Sequence, residues 1–226
     1  QNYTIPYKTF FELEAQATDA DNDPITYSWE QWDLGAYGPW STVSTGNPLF
    51  RSFYPTQDGL RMFPELFKVR PEFIKSRGEV LPEVTRDLNF KVVARDIDNG
   101  YGTFNYSNDE LEINAVNTGA TLFRVTSHAS GSPTWTGDTK QTVTWDVAGT
   151  TGNGINAATV DIYFSVDTGR TFPWKMADNV PNDGSEDILA PNVATTYGIV
   201  KVKGHNNIFF DINSAYIRVQ PQIYPL

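Results

Sequence analysis

Cysteine is absent from the 226 residues. That excludes disulfides, thiolate zinc sites and a cysteine nucleophile. Histidine is scarce, with only His128 and His205, both isolated in predicted loops and expected at the surface rather than on a metal. The His-Glu-x-x-His helix, the Gly-x-Ser-x-Gly elbow and the phosphate-binding glycine loop are all missing. No apolar run approaches the ~20 residues that span a bilayer, so no membrane insertion is expected. Basic residues are outnumbered, 17 Lys and Arg against 27 Asp and Glu. The resulting charge of −10 repels phosphate backbones and argues against a nucleic-acid partner. No export leader is recognisable ahead of Gln1, and the chain reads as a mature or excised piece.

Helical periodicity is almost absent too. Apolar and polar residues alternate in short runs separated by Gly, Asn, Asp and Pro, the pattern of an antiparallel β protein. The alternation predicts strands at Phe10–Ala17, Ile25–Gln31, Leu88–Ala94 and Leu111–Val116. It predicts a second set at Thr142–Val147, Thr159–Ser165, Gly198–Lys203 and Ala215–Val219. A polar link at Asn117-Thr118-Gly119 divides the two sets. The expected fold is all-β: two tandem immunoglobulin-like or fibronectin III-like antiparallel β-sandwiches, residues 1–116 and 117–226, a division that suits the length. Between Gly35 and Pro82 the alternation fades amid prolines and aromatics. A long irregular insertion of ordered loops with a short helix, packed on the first sandwich, is expected there. Trp29 suits the buried tryptophan position of such a sandwich.

The acids are unevenly spread: up to Ala115 there are 18 acidic and 10 basic residues, and beyond it 9 and 7. Asp19, Asp21 and Asp23 alternate in one loop, while Asp96 and Asp98 follow the Leu88–Ala94 strand. Alternating carboxylates in an irregular loop turn hard oxygens toward one point, which suits Ca²⁺. The two loops are expected at the same end of the sandwich, with Glu14 nearby on the adjoining strand. The competing reading is a pair of ordinary turns, since Asp, Asn, Pro and Gly all favour them. Trp32, Tyr37 and Trp40 are candidates for an exposed aromatic platform that would hold a surface glycan. Ser165-Val166-Asp167-Thr168-Gly169-Arg170-Thr171-Phe172 has the spacing of an Asp-box, Ser-x-Asp-x-Gly-x-Thr-Trp, with Phe172 in the last place. Its expected role is a structural hairpin: Asp167 accepts local amides, Gly169 takes positive φ and the aromatic packs beneath. Phe209 and Phe210 are adjacent, so in a strand they face opposite ways, one toward a core and one toward an interface.

The run from Phe11 to Gln31 holds Phe11-Glu12-Leu13, then Asp19-Ala20-Asp21-Asn22-Asp23-Pro24, then Thr26-Tyr27-Ser28-Trp29-Glu30-Gln31. Further stretches are Leu49-Phe50-Arg51-Ser52-Phe53, Gly78-Glu79-Val80-Leu81-Pro82, Arg86-Asp87-Leu88-Asn89-Phe90 and Ala94-Arg95-Asp96. The second half adds Thr142-Val143-Thr144-Trp145-Asp146-Val147, Asn182-Asp183-Gly184-Ser185 and Ile208-Phe209-Phe210-Asp211-Ile212. Together these resemble the region after the catalytic domain in secreted reprolysin-like zinc metallopeptidases of Bacteroidetes-type bacteria. The resemblance spans nearly the whole chain. It implies an extracellular or cell-surface accessory region whose partners are the parent's catalytic domain and a protein substrate or surface glycan. No zinc-binding helix lies in this sequence, so the resemblance assigns no catalytic residue here. The rival expectation is an independent adhesin or carbohydrate-binding module.

Overall fold

The computed structural model describes residues 2–36, 38–39, 41–66, 75–76, 78–97, 102–107 and 110–225. The first half contributes β1 (Tyr3–Pro6), β2 (Phe10–Leu13), β3 (Ile25–Gln31), β4 (Arg61–Phe63), β5 (Lys75–Ser76), β6 (Glu79–Val80), β7 (Arg86–Asp96), β8 (Phe104–Tyr106) and β9 (Leu111–Val116). The second contributes β10 (Arg124–Val125), β11 (Thr134–Thr136), β12 (Lys140–Asp146), β13 (Thr159–Ser165), β14 (Trp174–Pro181), β15 (Ser185–Leu189), β16 (Thr195–Gly204), β17 (Phe209–Ile212) and β18 (Ile217–Gln220). The chain is all-β, with no α-helix among the described residues. The short helix expected in the insertion is not found among them.

One sheet runs β1-β9-β7-β3, with β8 added to β7, and a second, three-stranded one runs β10-β12-β15. A larger sheet runs in the order β11-β18-β16-β17-β2-β4, with β13 on β16 and β14 on β13, and β5 and β6 form a two-stranded one. The larger sheet crosses from one half of the sequence to the other. β2 pairs antiparallel with β17 at Phe11↔Phe209 and Phe10↔Phe210, and with β4 on its far side. The chain therefore leaves the first sheet after β1 and enters the larger one at β2. The result is two β-sandwiches that share a layer.

All four residues of β2 are buried; the strand serves both halves because it pairs with β4 on one side and β17 on the other. Phe11 stacks on Phe63 at 4.8 Å and meets Phe90 of β7 at 5.8 Å, inside the first core. Its cross-strand partner Phe209 lies edge-on to Phe123 at 4.9 Å, inside the second. The opposite face carries Phe10, 5.9 Å from Phe210. Phe209 and Phe210 thus face opposite ways, but both are fully buried in the core, which corrects the expectation of one at an interface.

Side chains bind the insertion onto the first sandwich. Gln31 Oε1 accepts the amides of Leu49 and Phe50. The Arg86 Nη1 donates to the carbonyls of Ser44 and Asn47. Arg61 donates to Trp29 O and Arg51 O and pairs with Glu79 at 2.8 Å, while its guanidinium lies 4.6 Å from the Phe53 ring and 4.3 Å from that of Phe63. Trp29 is buried, and its indole donates to Gly59 O at 3.0 Å. Gly59 also lets the Ala15 backbone pack against it, because a Cβ there would lie 2.0 Å from Ala15 O.

Candidate functional site

β3 and β7 are antiparallel neighbours with Ile25 opposite Asp96, at the acidic turns. The loop entering β3 and the chain leaving β7 are then side by side, joined by Ile97 N–H to Pro24 O at 3.0 Å. Asp19 Oδ1 accepts the amides of Asp21 and Asp23, both at 3.0 Å. Those amide bonds hold the Asp19 carboxyl below the usual carboxylate range. Asp21 is exposed and Asp23 partly so. Both Asp96 oxygens are engaged by Thr103, one by its amide and one by its hydroxyl. Asp98 lies outside the described residues, as do Tyr37 and Trp40. Trp32 is 52% exposed, and the Lys91 ammonium lies 4.9 Å from its ring, an ordinary cation–π contact.

The Asp-box hairpin has the geometry its sequence demands. Asp167 Oδ1 accepts the amides of Arg170 and Thr171, and Oδ2 accepts the Thr171 hydroxyl. The Ser165 hydroxyl accepts the Gly169 amide, and Gly169 has φ +86°. Phe172 packs against the core below. Burial pushes the Asp167 carboxyl up, but these donors outweigh it and hold it low.

Charges at the junction between the halves escape sequence reasoning. Glu12 is buried, with Lys201 at 2.9 Å and Lys203 at 2.7 Å. Burial alone would raise its pKa, but the two ammoniums more than offset that and keep it ionised below the usual range. The Lys201 ammonium also lies 4.3 Å from the Phe172 ring and 5.2 Å from that of Phe210. Beside this set opens a polar cleft of about 740 Å³, lined from the first half by Tyr3, Glu14 and Leu111 and from the second by Asp161, His205 and Asn206.

Among the described residues, Asp161, Asp178 and His205 are the one group of three metal-type donors that converge. Their charge is met from within the chain. His205 Nδ1 is 3.0 Å from Asp161 Oδ1, and Lys175 pairs with both Asp178 and Asp161. Burial opposes charge on Asp161, yet the Asn179 amide, His205 and Lys175 together hold its carboxyl low. The carboxylates in turn push the Lys175 ammonium above its usual range despite partial burial. Neither histidine is the freely exposed residue that its loop context suggests. His205 is engaged here, and His128 Nε2 accepts the Trp135 indole N–H. The one sequence signal for Asp161 was a charged residue inside an otherwise apolar strand.

No protein-family model and no curated protein matches this sequence. Solved structures overlap it loosely. Tandem Ig repeats of Dlar are 13% identical with a TM-score of 0.40, covering 97% of this chain and 94% of that one. The FN1–FN3 domains of chicken CNTN1 are 12% identical with a TM-score of 0.29, covering 98% and 62%. The three N-terminal domains of the bacteriophage RB49 Hoc capsid protein are 12% identical with a TM-score of 0.25, covering 99% and 68%. The architecture rests on the strand pairings given above. No helix among the described residues is long and apolar enough to cross a membrane.

Proposed function

We propose that residues 1–226 form a non-catalytic spacer and binding region of a secreted bacterial protein, acting beside the catalytic domain of a reprolysin-like zinc metallopeptidase in the same polypeptide. The observation that carries the spacer reading is the shared sheet. β2 lies between β17 and β4, and the buried Glu12–Lys201–Lys203 set fixes it there. A single layer crossing two sandwiches sets a constant distance and orientation between whatever lies at either end. Polar groups at the junction are paired with one another, as in a scaffold. The parent class comes from the sequence resemblance alone.

The test uses the intact gene product, with and without residues 1–226, on a short peptide and on a folded protein substrate. The expected result is unchanged turnover of the peptide and a several-fold loss of kcat/KM on the protein. The same loss on both substrates, or the absence of any peptidase activity in the intact product, would sink this reading.

A calcium ion at the paired acidic turns belongs to the same proposal. The donor set is all hard oxygen, as Ca²⁺ requires. Asp19, Asp21 and Asp23 occupy alternate positions, with Asp19 oriented by its loop amides; their carboxylates do not converge with Asp96, so the loop would have to close around the ion. Asp96 would contribute from the neighbouring strand end. Melting temperature should rise by several degrees in millimolar Ca²⁺, and Asp21→Ala with Asp96→Ala should abolish the rise. Identical melting in Ca²⁺ and in EDTA removes the ion from the account.

A further inference from the structure

Asp161, Asp178 and His205 reach one place from three separate elements. Asp161 is buried on β13. On β14, Val180 pairs with Val160 but Ala177 with Ile162, so Asp178 and Asn179 together stand opposite Asp161. That is a bulge, which re-aims the side chains it carries. Asn179 takes φ +55°, and its amide donates to Asp161 Oδ1 at 2.8 Å. His205 follows β16, where its amide donates to Thr159 O at 3.0 Å. Its Nδ1 lies 3.0 and 3.2 Å from the two Asp161 oxygens. One donor atom from each of the three residues lies within 4.8 Å of the others. Ligands of one tetrahedral zinc ion, at bonds of ~2.0 Å, stand about 3.3 Å apart, so a small closure brings all three onto an ion.

We infer that Asp161, Asp178 and His205 bind a divalent transition metal such as Zn²⁺, and that Lys175 is the internal cation the metal displaces. Two carboxylate oxygens and an imidazole nitrogen suit such an ion, whereas Ca²⁺ and Mg²⁺ call for oxygen alone. With His205 neutral, Lys175 supplies one positive charge against two carboxylates, and a divalent ion supplies both. Lys175 is free to give way. Its side chain is 40% exposed, and β14 pairs only with β13 among the described residues, so the stem can swing to solvent without opening a core. Asp161 and His205 keep each other and the Asn179 amide when it does. Asp161, Lys175 and His205 all line the polar cleft between the halves, which gives a hydrated ion its way in and leaves room for water as a fourth ligand. The site is independent of the spacer reading and of the acidic turns at Asp19 and Asp96.

The test titrates the intact chain with zinc chloride, following heat by calorimetry and the imidazole signals by nuclear magnetic resonance. Zinc should bind at one site per chain in the micromolar range and shift the ring signals of His205. Those of His128 should stay in place, since its Nε2 already accepts the Trp135 indole. Asp178→Ala removes an exposed carboxylate without touching a core. It should weaken binding at least about tenfold, the loss that follows when even a ligand's outer partner is disturbed. Lys175→Met should strengthen binding several-fold by removing the competing ammonium. Asp21→Ala with Asp96→Ala should leave zinc binding unchanged, which separates this site from a calcium ion at the acidic turns. Unmoved His205 signals, or equal zinc affinity in the native chain and the Asp178→Ala variant, overturn the inference. A Lys175→Met variant that binds no more tightly than the native chain overturns the displacement of Lys175.

Discussion

Asp211 is a carboxylate placed where water does not reach it. It is 3% exposed, and its Oδ2 accepts the Val125 amide at 2.7 Å. Burial pushes its pKa up to about 7, against 3.8 for the free side chain. The folded chain therefore holds the proton more tightly than the unfolded chain between those two values. The stability Asp211 contributes is full below about pH 4, falls as pH rises through that window and is gone above pH 7. Asp211→Asn keeps an acceptor for Val125 without the ionisation. Its urea midpoint should exceed that of the native protein at pH 8 and lose this advantage as pH falls to about 4; an equal difference at both values would refute the account. Nothing in the sequence marks Asp211, because its partner lies 86 residues away. Glu12 is hidden for the same reason, 189 residues from Lys201. Trp29 and Asp167 were legible because a local pattern sets what each must do.

Strands were readable where alternation ran for several residues. Ile25–Gln31, Leu111–Val116 and Thr159–Ser165 occur with the expected bounds. Arg61–Phe63 and Arg124–Val125 are too short to show a period. β14 went unread because its pairing with β13 shifts register twice, which breaks the two-residue repeat. The Asp-box hairpin between β13 and β14 was the opposite case, a turn written in five fixed positions, Ser165, Asp167, Gly169, Thr171 and Phe172. Replacing its organising carboxylate, Asp167→Ala, should cost about 1–3 kcal/mol by leaving several local donors unmet. Urea denaturation measures that loss. A change within about 0.5 kcal/mol, the usual range for an inert surface site, would show that the hairpin holds its shape without the side chain.

Across the whole molecule, the division near residue 117 describes the order of the strands but not how the layers join. No short-range signal announces that β2 belongs beside β17, since pairing of distant strands is fixed only when the cores assemble. Calorimetry should therefore show a single unfolding transition, with the halves melting together. Glu12→Ala leaves the buried Lys201 ammonium and the partly exposed Lys203 beside it without their counter-charge, a change worth about 3–5 kcal/mol, and should lower that transition or split it. Two separate transitions in the native protein would mean that the shared sheet does not couple the halves.

β1 pairs with β9 in the parallel sense, Tyr3 with Ile113 through Pro6 with Val116, and β11 pairs likewise with β18. Tension drawn between residue 2 and the far end of the chain pulls the partners of each pair along their length in opposite directions. The load then falls on all the rungs of a ladder at once, where an antiparallel hairpin pulled at its open end would unzip rung by rung. Stretching from the two termini should meet a stiff mechanical clamp at each end of the molecule.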